Sequence, residues 1–382
     1  MLRGPMYSIS DYGRMLADRV RVDAYSRALA AAIKPGAVVV DLGAGTGFFS
    51  LEACRLGASK VYAVETNDAI ALLPAMAKRA GYADRIEVIQ RSSTELTLEK
   101  KADVVVADLR GVVPLFHANF AIMADARARL LAHDGIMIPT RDVLHAGVVH
   151  APDLYASIVE GWEEQTFDLR DARHASVNAF HSDRERPIGK DALATTSAPW
   201  AELVYGASPP DLVEGSLSLT ATRDAVAHGI ALWFDATLAE GIGYSSATSE
   251  RVYSRGFLPF EAPVSVEQGD LVEVELAARR GMGDHAWAWS TTVRGAGEVK
   301  ASFRQSTFLG LVQSKSSLAK ELAGYLPVAT PRARALAALI HGMDGRTPLE
   351  ALAAEMYASA PGAFASLDEA VVQARYIVKK YG

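Results

Sequence analysis

Cysteine is almost absent from this sequence, since a single residue, Cys54, stands among 382. One cysteine excludes an intramolecular disulfide framework and a cysteine-rich metal site. Long apolar runs are also missing, and no stretch approaches the roughly 18 apolar residues of a membrane helix. The N-terminal stretch MLRGPMYSISDYG lacks the apolar core of a signal peptide. We therefore expect a soluble cytoplasmic protein with no membrane partner and no bound metal.

Positive charge is in short supply as well. The chain has 39 Lys and Arg residues against 45 Asp and Glu residues, which gives a formal charge of −6. Without a broad basic face, a protein lacks the electrostatic term that dominates nucleic-acid binding, so nucleic acid is not an expected partner. What is present is an ordinary globular composition, half hydrophobic and 22% charged, in a chain long enough for two or three domains.

The pattern of apolar residues divides the chain into four parts. Residues 1–33 have helical spacing. Residues 34–142 alternate continuous apolar strands with helices, which predicts a doubly wound α/β domain whose parallel sheet is covered on both faces. Residues 143–312 contain short strand patterns, which predict an antiparallel β-barrel with an inserted polar arm at about 169–195. Residues 313–382 are predicted to form a small C-terminal helical module.

Two capping boxes mark that module. TPLE (347–350) and SLDE (366–369) each place a hydroxyl three residues before a carboxylate, which predicts helices over 348–358 and 367–380. The apolar stripes of the two helices are Leu349, Leu352, Ala353 and Met356 in the first, and Ala370, Val371, Ala374 and Ile377 in the second. We expect the stripes to pack on each other and to make an ordered unit.

A glycine-rich turn follows the first strand of the α/β domain. The stretch VVVDLGAGTGFF contains Asp41 and three glycines, at positions 43, 45 and 47. Such a turn lets a ligand approach the backbone closely and offers free amides at a helix N-terminus. A dinucleotide fingerprint needs its third glycine at position 48, where this chain has Phe48. Glu65 ends the next strand, where a carboxylate can accept both hydroxyls of a ribose. Without a ligand, the same residues would make only a tight strand-to-helix turn.

The pattern D-x-G-x-G-x-G resembles motif I of class I methyltransferases that use S-adenosylmethionine. The resemblance implies that Asp41 faces the methionine end of this cofactor, that Gly43, Gly45 and Gly47 cradle it, and that Glu65 binds its ribose. It also implies that Ser93 and Thr94, just past the third strand, contact the adenine. The product would be S-adenosylhomocysteine.

Over residues 7–310 the order of parts resembles the protein arginine methyltransferases. MLADRVRVDAY (15–25) is similar to the family's N-terminal helix, and GASKVYAVE (57–65) matches a second motif. The resemblance implies that Arg21 grips the cofactor carboxylate and that Met15 lies against the sulfur. It further implies a barrel whose inserted arm builds a homodimer.

The chain departs from that family where the acceptor would bind. There, a Glu-Trp-Met-Gly loop and a second Glu nine residues later hold a guanidinium, whose pKa is too high for simple deprotonation. Here Asp108 takes the first position and His117 the second, with Arg110 beside them. A fixed cation repels a cationic substrate, so the acceptor is expected not to be an unmodified protein arginine. Arg110 would bind an acceptor carboxylate or amide oxygen, or else pair with Asp108 and shape the loop.

The role of His117 is also open, since a histidine in a helical pattern acts as a base or simply packs. The acceptor would be a peptide, a protein or a natural product, and the sequence does not fix which atom is methylated. One alternative is a true arginine methyltransferase that uses Asp108 with an unrecognised partner. Another is a cofactor-binding but inactive module that recognises a peptide.

The C-terminal module is an addition to the resembled family. LIHGMDGRTPLEALAAEM (339–356) resembles the helical half of the PqqD-like winged-helix modules, which are related to the peptide chaperone of pyrroloquinoline quinone synthesis. That resemblance implies recognition of a peptide. The alternative is a helical cap that packs on the barrel or on a dimer partner.

Overall fold

The computed structural model describes residues 7–115, 119–163, 165–189, 191–248, 253–281 and 284–382. His117 therefore lies outside the described residues. The chain divides into two compact units, Met1–Leu311 and Val312–Gly382, and each is considered by itself. Within the described ranges, no helix is both long enough and apolar enough to cross a membrane.

Two helices precede the sheet. They are α1 (Ile9–Ala17) and α2 (Arg19–Ala32). Asp18 separates them, because its side chain accepts a hydrogen bond from the backbone N–H of Arg21 and so caps α2. The helix pattern alone gave no sign of this break. α2 is buried along one face, and Tyr25 is fully enclosed.

A parallel five-stranded sheet forms the centre of the α/β domain. Its elements are β1 (Val38–Leu42), α3 (Phe48–Arg55), β2 (Lys60–Val64), α4 (Leu73–Ala80), β3 (Ile86–Ile89), β4 (Ala102–Ala107), α5 (Asn119–Arg129) and β5 (Leu131–Ile138). The strand order is β3-β2-β1-β4-β5, and all neighbours are parallel. The order reverses between β1 and β4, and ligands of such sheets bind at the carboxyl ends of the strands at this point.

Two antiparallel sheets follow. The elements are β6 (Arg141–Val149), α6 (Pro152–Glu163), α7 (Arg170–Val177), β7 (His181–Ser182), β8 (Leu193–Val204), β9 (Leu212–Thr220), β10 (Ala225–Ala239), β11 (Ile242–Ser245), β12 (Gly256–Val266), β13 (Leu271–Arg280), β14 (His285–Gly295) and β15 (Glu298–Ser306). One sheet has the order β7-β12-β10-β6-β8, with β11 paired to β10, and the other has the order β15-β14-β13-β9. A single apolar core runs from α2 and β1 into both sheets, so the α/β part and the barrel are packed together.

The insertion between β6 and β8 contains α6, α7 and the short β7. Of these, α7 and β7 lie within the arm predicted at about 169–195. Gln305 of β15 ties the arm to the barrel, because its amide donates to the carbonyl of Val177 and accepts from the indole of Trp289. Both polar groups of the Gln305 side chain are therefore used inside the fold.

The second unit is helical throughout its named elements. These are α8 (Lys315–Glu321), α9 (Pro331–His341), α10 (Leu349–Ser359) and α11 (Leu367–Tyr381). The two predicted apolar stripes meet in one core with Ala335 and Leu339 of α9, which confirms that they pack on each other.

The capping boxes are only half realised. Pro348, not Thr347, precedes α10, and the backbone N–H of Thr347 is bonded to Asp344 instead. Ser366 does cap α11, but the carboxylate of Glu369 accepts from the backbone of Ala365.

Candidate functional site

The glycine turn lies at the carboxyl end of β1. Gly43, Gly45 and Gly47 all have positive φ angles, of 70°, 57° and 86°. A Cβ atom on Gly45 would lie 2.6 Å from the ring of Tyr12, and one on Gly43 would overlap the side chain of Leu109. Both the backbone conformation and the close approach of neighbours therefore require glycine here.

Two carboxylates frame the turn. Asp41 is buried, and the hydroxyl of Ser50 donates to it at 2.6 Å. Burial raises the pKa of Asp41 to about 7, partly offset by the Ser50 hydrogen bond. Glu65, at the end of β2, accepts from the backbone N–H groups of Gly45 at 2.9 Å and Asn67 at 2.8 Å. Glu65 thus fixes the turn to the neighbouring strand.

Helix α1 covers this turn, a feature that the sequence motifs did not reveal. Tyr12 lies against Gly45, and burial together with the nearby Glu65 raises the pKa of its phenol. Met15, on the same helix, is half-buried, and its carbonyl accepts from Nη2 of Arg21 at 2.5 Å. Arg21 therefore holds the end of α1 near the carboxyl edge of the sheet.

The residues predicted to contact adenine lie past the end of β3. Ser93 is buried at the start of a 3-10 turn, Thr94 is exposed, and the hydroxyl of Ser92 caps the turn. The carbonyl of Ser93 accepts from Nη2 of Arg129 at 2.9 Å, which fixes its position from α5. These residues follow β3, whereas Glu65 ends β2 and Asp41 belongs to β1.

Asp108, directly after β4, is enclosed by donors. Its Oδ2 is paired with Nη1 of Arg21, and its Oδ1 accepts from the hydroxyl of Tyr253 at 2.5 Å. Arg110 approaches Oδ1 at 3.5 Å. Burial opposes ionisation of Asp108, but the two guanidinium groups and the phenol outweigh it and hold the pKa of this carboxyl below its usual value.

Arg110, expected to bind an acceptor or to pair with Asp108, is buried with its donors paired inside the fold. Its Nε and Nη2 each donate to Asp142 of β6 at 2.7 Å, and its Nη1 donates to the hydroxyl of Tyr25 at 2.6 Å. The hydroxyl of Tyr205 donates to the same Asp142 carboxylate at 2.5 Å. With a side chain 1% exposed, Arg110 is a buried tie between the loop after β4 and the barrel. Its pairing with Asp108, the expected alternative, is the longer of the two ion pairs.

The structure thus brings Arg21, Asp108 and Arg110 into one cluster and collects Asp41, Glu65 and the glycine turn beside it. Tyr253 and Asp142 belong to the cluster but lie in barrel segments that carry no recognised motif. His117, the third predicted acceptor-side residue, lies outside the described residues.

The residues present fit the methionine end of S-adenosylmethionine. Nε of Arg21 is buried and has no hydrogen-bond partner among the described residues, so it retains a donor for a carboxylate. The glycine turn next to it leaves no room for side chains. Asp41 and Glu65 supply acceptors for an ammonium group and for ribose hydroxyls.

The chain is similar to known methyltransferases. The family model of ribosomal protein L11 methyltransferase (PrmA) matches residues 26–138, which contain the sheet and the glycine turn. An arginine N(omega)-methyltransferase of Streptomyces achromogenes subsp. streptozoticus is 29% identical over 273 residues, 69% of this chain and 74% of that protein.

A protein arginine N-methyltransferase PRMT10 of Oryza sativa subsp. japonica is 36% identical over 190 residues, 49% of this chain and 48% of that protein. The aligned region thus spans about half of this plant relative. Two solved structures have the same fold at 20% identity. The PRMT1 enzyme-prozyme heterotetrameric complex of Trypanosoma brucei with AdoHcy has a TM-score of 0.70 and covers 77% of this chain and 96% of its own. Protein arginine methyltransferase 10 of Arabidopsis thaliana has a TM-score of 0.67, and the match covers 78% of this chain and 97% of the Arabidopsis chain.

The family model and the curated relatives therefore agree that this chain is an S-adenosylmethionine-dependent methyltransferase, and the solved structures show that it has the fold of the protein arginine methyltransferases.

Proposed function

We propose that this enzyme methylates an acceptor other than an unmodified protein arginine, carried by a peptide, a protein or a natural product. The observation that supports the proposal is the state of Asp108. Both of its carboxylate oxygens are already occupied, one by Arg21 and the other by Tyr253. A guanidinium would have to share each oxygen with a donor already bound there to form a bidentate pair with this carboxylate.

Charge balance supports the same reading. Arg21, Asp108, Arg110 and Asp142 are two cations and two anions within one buried cluster, so their charges cancel. A cationic acceptor loses its hydration on entry and needs a net negative site in return. The cluster offers no such surplus, whereas a neutral N–H or O–H group enters at a much smaller desolvation cost.

The proposal is compatible with catalysis because methyl transfer needs little acid–base assistance. Bound S-adenosylmethionine supplies a methyl group already activated on a sulfonium. The protein must align the nucleophile and exclude water. We assign the first task to the loop after β4, which Arg110 anchors to the barrel through Asp142. We assign the second to α1, whose Tyr12 covers the glycine turn.

Transfer to an arginine is the second candidate function. It is favoured by the names of the relatives, among them the Streptomyces enzyme that aligns over 69% of this chain. In that case Asp108 would bind the guanidinium after Arg21 has turned its donors toward the cofactor.

The two functions are separated by the products. The purified enzyme is incubated with labelled S-adenosylmethionine and either arginine-rich peptides, free L-arginine or fractionated cell extract. We expect labelled products in the extract fractions whose modified atom, located by mass spectrometry, is not an arginine nitrogen. Efficient formation of methylarginine on the peptides would contradict the proposal.

Two further proposals concern assembly. We infer that the arm at about 169–195 builds a homodimer, and the exposed Trp162 and Phe167, which lie just before it, add apolar surface for a partner. Light scattering at micromolar concentration tests this, and a monomer would contradict it.

We also infer that the second unit recognises a peptide, since it has a core of its own and is an addition to the methyltransferase fold.

A further inference from the structure

We propose that Tyr253 is a specificity-determining residue, which acts through Asp108 to disfavour guanidinium acceptors and to admit neutral N–H or O–H groups. The inference rests on the proposed function and identifies the side chain responsible for it. Tyr253 carries no motif of the α/β domain. It lies three residues before β12, in the barrel part of the chain.

The contact between the two residues joins the two halves of the first unit. Asp108 follows β4 of the parallel sheet, and the hydroxyl of Tyr253 reaches its Oδ1 at 2.5 Å. Arg21 holds the opposite oxygen, Oδ2. The carboxylate is thereby bound from the cofactor side by a cation and from the barrel side by a phenol. A bidentate guanidinium pair uses both oxygens of a carboxylate, so Tyr253 competes directly with it.

The position of the Tyr253 ring is fixed by other aromatic residues. The ring of Phe234 meets it edge to face, with centroids 5.1 Å apart. Tyr244 stacks on it at 6.2 Å with an interplanar angle of 17°. The ring is buried, and burial raises the pKa of the phenol well above its usual value. The hydroxyl therefore remains a neutral donor to Asp108 throughout the working pH range of an enzyme.

Selectivity follows from what remains available on Asp108. A carboxylate oxygen has more than one lone pair, so Oδ1 can accept one further hydrogen bond while Tyr253 stays in place. A single N–H or O–H of a neutral acceptor satisfies that geometry. A bidentate guanidinium needs a parallel site on both oxygens at once, and Tyr253 and Arg21 each already fill one site there. Tyr253 thus acts as a positioning residue for Asp108 and does not take part in bond making.

The test compares Tyr253→Phe with the matched variant Tyr244→Phe. Both remove one hydroxyl from the same buried aromatic stack. Among the described residues, the hydroxyl of Tyr253 donates to Asp108, whereas the hydroxyl of Tyr244 has no hydrogen-bond partner. Methyl transfer to an arginine-glycine-rich peptide is measured as kcat/KM by mass spectrometry of the peptide. Affinity for S-adenosylhomocysteine is measured by calorimetry in every variant. A purely structural role would lower all rates together and would not raise any of them.

We expect Tyr253→Phe to raise kcat/KM for the arginine peptide by about tenfold, the size of one hydrogen bond to a charged group. Tyr244→Phe should leave this rate within about twofold of the wild type, and cofactor-product affinity should be unchanged in both. If Tyr253→Phe binds S-adenosylhomocysteine normally but shows no higher kcat/KM for the arginine peptide, the inference is overturned. Tyr253→Met serves if the phenylalanine variant does not fold, and failure of both to fold would mean that Tyr253 is structural and the inference is wrong.

The outcome also separates this inference from the proposed function. If the wild-type enzyme already methylates the arginine peptide efficiently, the proposed function fails whatever the variants do. If the wild type is poor and Tyr253→Phe is equally poor, the proposed function survives and only the role of Tyr253 is rejected.

Discussion

Removal of the Asp142 carboxylate should destabilise the first unit severely. Asp142 and Arg110 have side chains 0% and 1% exposed, joined by two hydrogen bonds of 2.7 Å each. The substitution Asp142→Ala leaves the Arg110 cation buried with only Tyr25 and the distant Oδ1 of Asp108, and it also removes the acceptor of the Tyr205 hydroxyl. Breaking such a pair costs about 3–5 kcal/mol of unfolding free energy.

Urea denaturation followed by tryptophan fluorescence measures this loss. All five tryptophans, at positions 162, 200, 233, 287 and 289, lie in the first unit, so the signal reports on that unit alone. The matched control is Glu202→Ala, which breaks the pair with Arg141 at the neighbouring position of β6. The side chains of Arg141 and Glu202 are 50% and 48% exposed, so Glu202→Ala should lower the free energy of unfolding by less than about 1 kcal/mol.

A double variant that replaces both charges by apolar side chains shows how much of the loss comes from leaving one charge unpaired. Because the desolvation of two charges offsets their attraction, Arg110→Met combined with Asp142→Leu should cost much less than Asp142→Ala alone. A loss below about 1 kcal/mol for Asp142→Ala would refute the reasoning. It would mean that the guanidinium reaches water or another acceptor, and that Arg110 is not the anchor of the loop after β4.

The remaining predictions concern the cofactor site and the second unit. Asp41→Asn should stabilise the ligand-free protein at pH 8 by about 2–4 kcal/mol, since the folded-state pKa of about 7 lies above the unfolded value and the folded state therefore resists ionisation of Asp41. The gain should fade as the pH falls from 7 toward 4, where the carboxyl is protonated in both states, and a gain independent of pH would contradict the assignment. Glu65→Ala should weaken S-adenosylhomocysteine binding by about 1.5–3 kcal/mol in calorimetry, and equal affinity would remove Glu65 from the ribose site. Truncation after Leu311 should leave cofactor-product affinity intact while turnover of the true acceptor falls, as expected for loss of a remote anchoring site. Unfolding of the truncated protein would instead make the second unit structural.

Much of the fold was predictable because its signals are local. The parallel strands are continuous apolar runs, and LVEVELAARR (271–280) matches β13 residue for residue. The break at Asp18 and the helix α6 were missed. An N-cap aspartate inside an otherwise unbroken helical pattern is visible only through its hydrogen bond to Arg21. Helix α6 lies inside an insertion whose burial depends on contacts with distant strands.

The sequence could predict the glycine turn and its two carboxylates, whereas it could not predict the partners of Asp108 and Arg110. Asp41, Glu65 and the glycines follow from fixed spacing around one turn. The partners of Asp108 come from positions 21 and 253, and those of Arg110 from positions 25 and 142, so only the tertiary fold brings them together. Arg110 illustrates the difference, since its charge next to Asp108 suggested an acceptor contact whereas its nearest carboxylate is 32 residues away in sequence.

The measurement closest to the central claim is the steady-state kcat/KM of the wild-type enzyme for methyl transfer to an arginine-glycine-rich peptide. It is followed by release of S-adenosylhomocysteine and by mass spectrometry of the peptide. Because Asp108 is held by Arg21 and Tyr253 within a charge-neutral cluster, we expect S-adenosylhomocysteine to bind normally while the peptide remains almost unmethylated. A kcat/KM above roughly 10⁴ M⁻¹s⁻¹, the lower end of ordinary enzyme efficiency, with methylarginine as the product, would contradict the account.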